Sequence, residues 1–198
     1  RFAAPAAGEW TYETTCSADD PGLHSQAGVI HARSYDGANP LLRHGRLGVA
    51  ENRRHLEHAD GTPFFWIGDT WWMGLCTRLD WPHGFKELAA DRVAKGFSVV
   101  QIIAGPYPDM EIFDERGRNE AGFPFVSDLS RVNPAYFDEA DLRIAHLVES
   151  GLSPCVVGMW GYYILQLGVE RVKRFWRCLV ARYGAYPITW CAAGEAAM

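Results

Sequence analysis

Four short segments carry side chains that could do chemistry together: Asp69-Thr70-Trp71-Trp72, Gly105-Pro106-Tyr107-Pro108-Asp109, Trp160-Gly161-Tyr162-Tyr163 and Gly194-Glu195. Each follows a short apolar run, and each brings an acid, an aromatic ring or both. Flat aromatic faces stack on the apolar faces of sugars. A carboxyl group in a partly apolar, partly enclosed setting can keep its proton near neutral pH and deliver it as a general acid. Glycoside hydrolysis commonly uses two carboxyls, one of which protonates the leaving oxygen. Glu195, with only Ala and Gly around it, suits the acid; an ordinary solvated loop glutamate is the alternative. Asp69 has two readings, a hydrogen bond to sugar hydroxyls or a cap on the backbone N–H groups of Trp71 or Trp72. Trp71, Trp72, Trp160, Tyr162 and Tyr163 are sugar platforms or core, since most aromatics are buried. Gln101 points either into the core or up to the same mouth. Asp109 and the pair Asn119-Glu120 fall in a long loop.

The elements that must position these groups alternate. The runs 64–69 (FFWIGD), 98–104 (SVVQIIA), 154–158 (PCVVG) and 188–192 (ITWCA) read as strands apolar on both faces, as parallel strands covered on both sides are. Helices are expected between them. The first, over 81–96, has Phe85, Leu88, Ala89 and Val93 inward and stops at Gly96. The second opens on Asn133 as N-cap with Pro134 behind it. It buries Phe137, Ala140, Ile144, Leu147 and Val148 and ends at Gly151. The third turns Val169, Val172, Trp176, Leu179, Val180 and Tyr183 inward before Gly184. Strand starts are spaced by 34, 56 and 34 residues, so the middle unit carries an insertion, the loop from Gly105 to about Arg131. Alternating β and α predicts a parallel sheet, doubly wound or the beginning of a (β/α)8 barrel. No G-x-G-x-x-G follows the first strand, which leaves the nucleotide-binding version without support. In barrels the active site is built at the C-terminal ends of the strands, where all four segments fall.

Residues 1–60 differ in texture. EWTYETT (9–15) and GVIHARSY (28–35) read as antiparallel strands separated by the turn-rich ADDPG and DGANP. The chain of 198 residues carries a net charge of −5, and its basic clusters RHGR, NRRH and RVKR read as connector or solvated helix face, so a nucleic-acid partner is not expected. Five cysteines, an odd number without a C-x-x-C pair, argue against a disulfide framework or zinc ribbon and favour a cytoplasmic location. His55 and His58 stand three apart with no third ligand evident and read as structural or surface residues. No apolar stretch is long enough to span a membrane, and no signal peptide is visible. No metal or cofactor is expected.

The ordered motifs DGTPFFWIGDTWW, DRVAKGFSVVQ, YPDM, NEAGFPF, NPAYFDEADLRI, GLSPCVVGMWGYY and ARYGAYPITWCAAGE resemble the apiosidase-like glycoside hydrolases over about residues 55–195. That resemblance implies a bacterial carbohydrate-active enzyme on a (β/α)8 barrel, often preceded by a small β-sandwich. Residues 1–55, with GEWTYETTCS and NPLLRHG, are then expected to be the end of the sandwich and a linker, and 56–198 the first four βα units of the barrel. Related barrels hold their acid/base at the fourth strand end, which points to Glu195. Many have Asn before that Glu where this chain has Gly194, and close members have Asp in place of the Glu. A barrel takes eight strands, so the chain reads as the front half of a longer enzyme, inactive alone, its second carboxylate on a later strand. Its expected partners are a carbohydrate substrate and the remainder of the barrel or a second copy of the chain. The alternative function is a non-catalytic carbohydrate-binding or scaffold protein on the same fold.

Overall fold

The computed structural model describes residues 2–195 apart from Asp19, in two compact units that divide between Ala38 and Asn39. The first unit is a hairpin. Strands β1 (Gly8–Glu13) and β2 (Ala27–Ala32) pair antiparallel from Gly8↔Ala32 to Glu13↔Ala27.

The second unit begins with a short helix α1 (Pro40–Arg43), capped by the Asn39 side chain, which accepts from Leu41 N–H at 3.0 Å. A small antiparallel sheet follows, β3 (Leu47–Val49), β4 (Leu56–His58) and β5 (Pro63–Phe64) in that order. Of its histidines, His58 is buried with Nδ1 2.9 Å from Gly45 O, and His55 is exposed and lies against Glu57.

The main sheet has four strands, β6 (Gly68–Trp71), β7 (Val99–Ile103), β8 (Ser153–Val157) and β9 (Thr189–Cys191), all parallel and in chain order. Its register aligns Thr70, Gln101, Cys155 and Thr189 in one row and Trp71, Ile102, Val156 and Trp190 in the next. Three of these strands fall within a residue or two of the predicted runs. The first does not. The apolar run 64–69 is divided between two sheets: Phe64 closes β5 against β4, Phe65 and Trp66 are exposed, and the parallel strand starts only at Gly68. Ser98 fixes the crossing. Its hydroxyl donates to Phe65 O at 2.6 Å and accepts from Ile67 N–H at 3.0 Å. Asp69 therefore lies inside β6, and the strand ends at Trp71.

Helices α2 (His83–Ala94), α3 (Pro134–Glu149) and α5 (Val169–Tyr183) form one layer. Side chains in a strand alternate between faces, and the face bearing Asp69, Trp71 and Trp190 meets this layer. Trp71 packs edge-on to Phe85 of α2, and Trp190 to Trp176 of α5. Next, His146 of α3 meets Phe85, and Phe137 of α3 meets Phe175 of α5. Arg182 of α5 bonds Asp138 and Asp141 of α3 at 2.5 and 2.7 Å. The α3 stripe is buried as predicted. In α2, Val93 is exposed although it follows Ala89 by one turn; it stands in the last turn of the helix. In α5, Val169 and Val180 are also exposed, and Phe175 takes the inward place that the sequence reading did not give it. Gly96 and Gly151 stop their helices at positive φ of 78° and 82°.

A further short helix, α4 (Tyr163–Leu167), not expected from the sequence, follows β8. Asn133 stands at the N-cap of α3, but its side chain does not cap. Its amide nitrogen donates to Ala121 O and Phe123 O, both at 3.0 Å. Asn119 is fully buried in the same loop and donates to Tyr136 O at 2.9 Å. Among the described residues no helix is long and apolar enough to cross a membrane, and no group of three His, Cys, Asp or Glu is placed to hold a metal.

Candidate active site

Beyond the last ladder bonds, β8 and β9 stay in register through one isolated parallel bridge between Trp160 and Gly194. Gly161 N–H donates to Gly194 O at 2.9 Å and Gly194 N–H to Met159 O at 3.3 Å. The bridge delivers Glu195 beside the indole of Trp160, whose Nε1–H donates to Glu195 Oε2 at 3.1 Å. Among the described residues no ion pair reaches that carboxylate. Trp160 is buried, 7% exposed, while Glu195 is exposed. Trp72, one residue past β6 and 42% exposed, stands edge-on to Trp160 with ring centroids 5.1 Å apart. Three of the four strand ends thus meet in one contact chain, Trp72–Trp160–Glu195.

The fourth end, after β7, is held by two tyrosines. Asp109 N–H donates to Tyr162 Oη at 3.0 Å, and the Tyr163 hydroxyl lies 2.5 Å from Tyr107 O and 2.6 Å from Met110 O. The Tyr162 and Tyr163 rings are 4.6 Å apart. Tyr163 is fully buried and acts as a clamp on the loop. Asp109 and Glu195 have left-handed φ of 59° and 46°, a conformation that Ser25, Arg53 and Leu129 also adopt outside the four strand-end segments.

Other predicted residues lie elsewhere. Asp69 faces α2. Its Oδ1 accepts from Thr70 N–H at 2.8 Å, and its Oδ2 from Trp71 Nε1–H at 2.9 Å and from Arg92 Nε–H at 2.5 Å. The capped amide is that of Thr70, not of Trp71 or Trp72. Partial burial works to raise the Asp69 pKa, but the bonds from Trp71, Arg92 and Thr70 together hold it below the usual carboxylate range. Trp71 packs into the helix layer. Gln101 sits in the middle of β7 on the face away from the helices, opposite Cys155 of β8, whose thiol pKa burial pushes up. Glu120 pairs with Arg143 of α3, Oε1 to Nη2 at 2.8 Å.

The sequence reading missed Arg92 and Arg143. Arg143 left a signal, since it falls at an inward position of the α3 stripe, between Ala140 and Leu147. A cation there needs a buried acid or ring, and Glu120 and Trp81 supply them. A cleft of about 460 Å³ lies at the opposite end of the sheet, near Trp66 and Ile188, and no carboxylate lines it.

A family model described as the apiosidase-like catalytic domain matches residues 50–198. Comparison with curated protein sequences finds no match. Among solved structures, one described as a glycoside hydrolase is 25% identical over 77% of this chain, with a TM-score of 0.63. A Bacteroides vulgatus protein assigned to the glycoside hydrolases aligns over the whole chain at 21% identity and a TM-score of 0.70. A glycoside hydrolase family 5 protein of the same organism aligns over 77% at 23% identity and a TM-score of 0.64. The chain spans 34%, 41% and 33% of those three structures.

Proposed function

The chain belongs to the family of apiosidase-like catalytic domains, and from that premise we propose that it is the front half of a (β/α)8 glycosidase barrel with Glu195 as general acid/base. The observation that carries this reading is the position of the Glu195 carboxylate, at the end of the fourth strand and bonded by Trp160, whose ring in turn meets the open ring of Trp72. The sheet supports the barrel half of the proposal. Its strands run in chain order without reversal, and the helices cover one face, whereas a doubly wound sheet reverses and is covered on both. The hairpin of residues 2–38 then stands for the last strands of a β-sandwich, and the remainder of the barrel is the partner of this half.

In the proposed reaction the Glu195 carboxyl gives its proton to the glycosidic oxygen. The bond from that oxygen to the anomeric carbon breaks with its electron pair staying on the oxygen, and Glu195 is left as a carboxylate. A second carboxylate, from a later strand, stabilises the sugar cation or activates water. The substrate is a glycan, with Trp72 as a platform and Asp109 and Tyr162 on the flank.

The test is Glu195→Gln in the full-length protein. Turnover of glycosides with poor leaving groups is expected to vanish. Activated aryl glycosides should suffer far less, because their leaving oxygen needs little protonation. Equal, mild losses on both would sink the acid role.

A further inference from the structure

We propose that Trp160 is the positioning residue of Glu195, and that Gly194 is glycine so that the indole can lie where it does. This rests on Glu195 being the acid/base.

A Cβ built on Gly194 would fall 2.6 Å from the Trp160 ring atoms Cδ2 and Cε2 and 2.7 Å from Cε3. Such contacts are too close for any carbon. The φ of Gly194 is not in the left-handed region, so the backbone does not demand glycine; the indole does. Residue 194 thus gives up its own side chain, and a ring from the neighbouring strand end fills the space and supplies the hydrogen bond to Glu195.

The chemistry of that bond is directional. An indole N–H only donates. While Glu195 is protonated, the bond favours Oε2 as the carbonyl oxygen, the better acceptor, and so favours the acidic proton on Oε1. When the proton leaves, the same N–H faces a carboxylate, and hydrogen bonds to charged acceptors are the stronger kind. The bond therefore tightens as proton transfer proceeds, which is the property an interaction needs to accelerate a reaction. Trp160 is too buried to offer its face to a sugar. That task falls to Trp72, which the Trp160 edge props in place.

Two measurements test this. In the full-length protein, the indole ¹⁵N–¹H resonance of Trp160, assigned by its loss in Trp160→Phe, is followed from about pH 3 to about pH 8, across the carboxyl range. It should shift with pH in the wild type and stay still in Glu195→Gln. Asp109 and Glu111, carboxyls of the loop after β7 that both face Tyr163, are controlled for by Asp109→Asn and Glu111→Gln, which should leave the shift in place. A resonance that does not move in the folded wild type, or that still moves in Glu195→Gln, overturns the proposal.

In the full-length protein, Trp160→Phe keeps the ring and loses the N–H. It should lower kcat/KM on poor leaving groups by about ten- to a hundredfold, the size of one charged hydrogen bond, and move the alkaline limb of the pH–rate profile upward. Gly194→Ala should do the same damage by displacing the indole, but should add little in a Trp160→Ala background, where the methyl has room. If Glu195→Gln is crippled while Trp160→Phe and Gly194→Ala turn over normally, Trp160 is not the positioning residue. If the resonance behaves as expected but Glu195→Gln is fully active, the acid/base reading fails instead, and the positioning role with it.

Discussion

Arg92 Nε lies 2.5 Å from Asp69 Oδ2, and this bond turns the one acid of β6 toward helix α2 and away from Trp72. The pair is a strut between sheet and helix, mostly shielded from water, with Trp71 Nε1 completing it. Asp69→Asn is therefore expected to lower unfolding free energy by about 1.5–3 kcal/mol at neutral pH, the range for a hydrogen bond to a charged group, without touching sugar affinity. The Asp69 carboxyl titrates below its unfolded value in the fold. Its contribution is thus present above about pH 3.9 and lost as pH falls through the lower folded value. Denaturant titrations of both proteins should converge in acid; equal stability at neutral pH would remove the strut.

Trp72 presents an open face and Trp160 does not. Trp72→Ala should raise KM about three- to tenfold, as loss of one aromatic contact does, with kcat nearly unchanged. A fall in kcat at constant KM would instead make Trp72 part of the machinery for Glu195.

The Arg143–Glu120 pair is lopsided: the arginine side chain is fully buried and the glutamate is 40% exposed. Glu120→Gln strands a buried cation, with Arg143 Nε already lacking a partner, and should lower stability by about 3 kcal/mol. Arg143→Met removes the buried charge and lets Glu120 turn to water, so it should be the milder change. Thermal unfolding of both variants decides the order, and the reverse order would show the cation–π contact to Trp81 to dominate.

His146 lies between the rings of Trp81 and Phe85. Burial first, and the positive charge of Lys86 second, push its pKa below the ordinary value, while Glu149 opposes them. The fold favours neutral imidazole. Stability from this site is complete above about pH 6.5 and is lost as pH falls through the depressed folded value. Between about pH 7 and about pH 5 the wild type should lose more stability than His146→Gln. Parallel curves would show that His146 does not titrate into the fold.

What could be read from the sequence followed local rules. The α3 stripe, its Pro134 start and the glycines that stop the helices obey spacing that neighbours in the chain enforce, and they stand as predicted. The run FFWIGD looked like one buried strand because each residue is apolar. Its division is decided by partners more than thirty residues away, where Ser98 catches the chain between two sheets. The strand ends were legible as places, and the contacts among them were not. Nothing near residue 195 announces that an indole 35 positions earlier will bond it. Asp69 was marked as unusual by its setting, but its meaning depended on Arg92, one turn from the end of a helix whose rotation the sequence leaves open. In α5 the inward stripe was drawn too wide, and Phe175 was hidden between Arg174 and Trp176.

Asn133 spends its side chain on the loop and not on its helix, stitching Ala121 and Phe123 to the first turn of α3, while Asn119 fastens the loop to Tyr136. Loop and helix start are thereby one cooperative unit. Their amides should exchange with solvent together, the loop borrowing the slow opening of the helix, so a segment without regular secondary structure joins the slow-exchanging part of the domain.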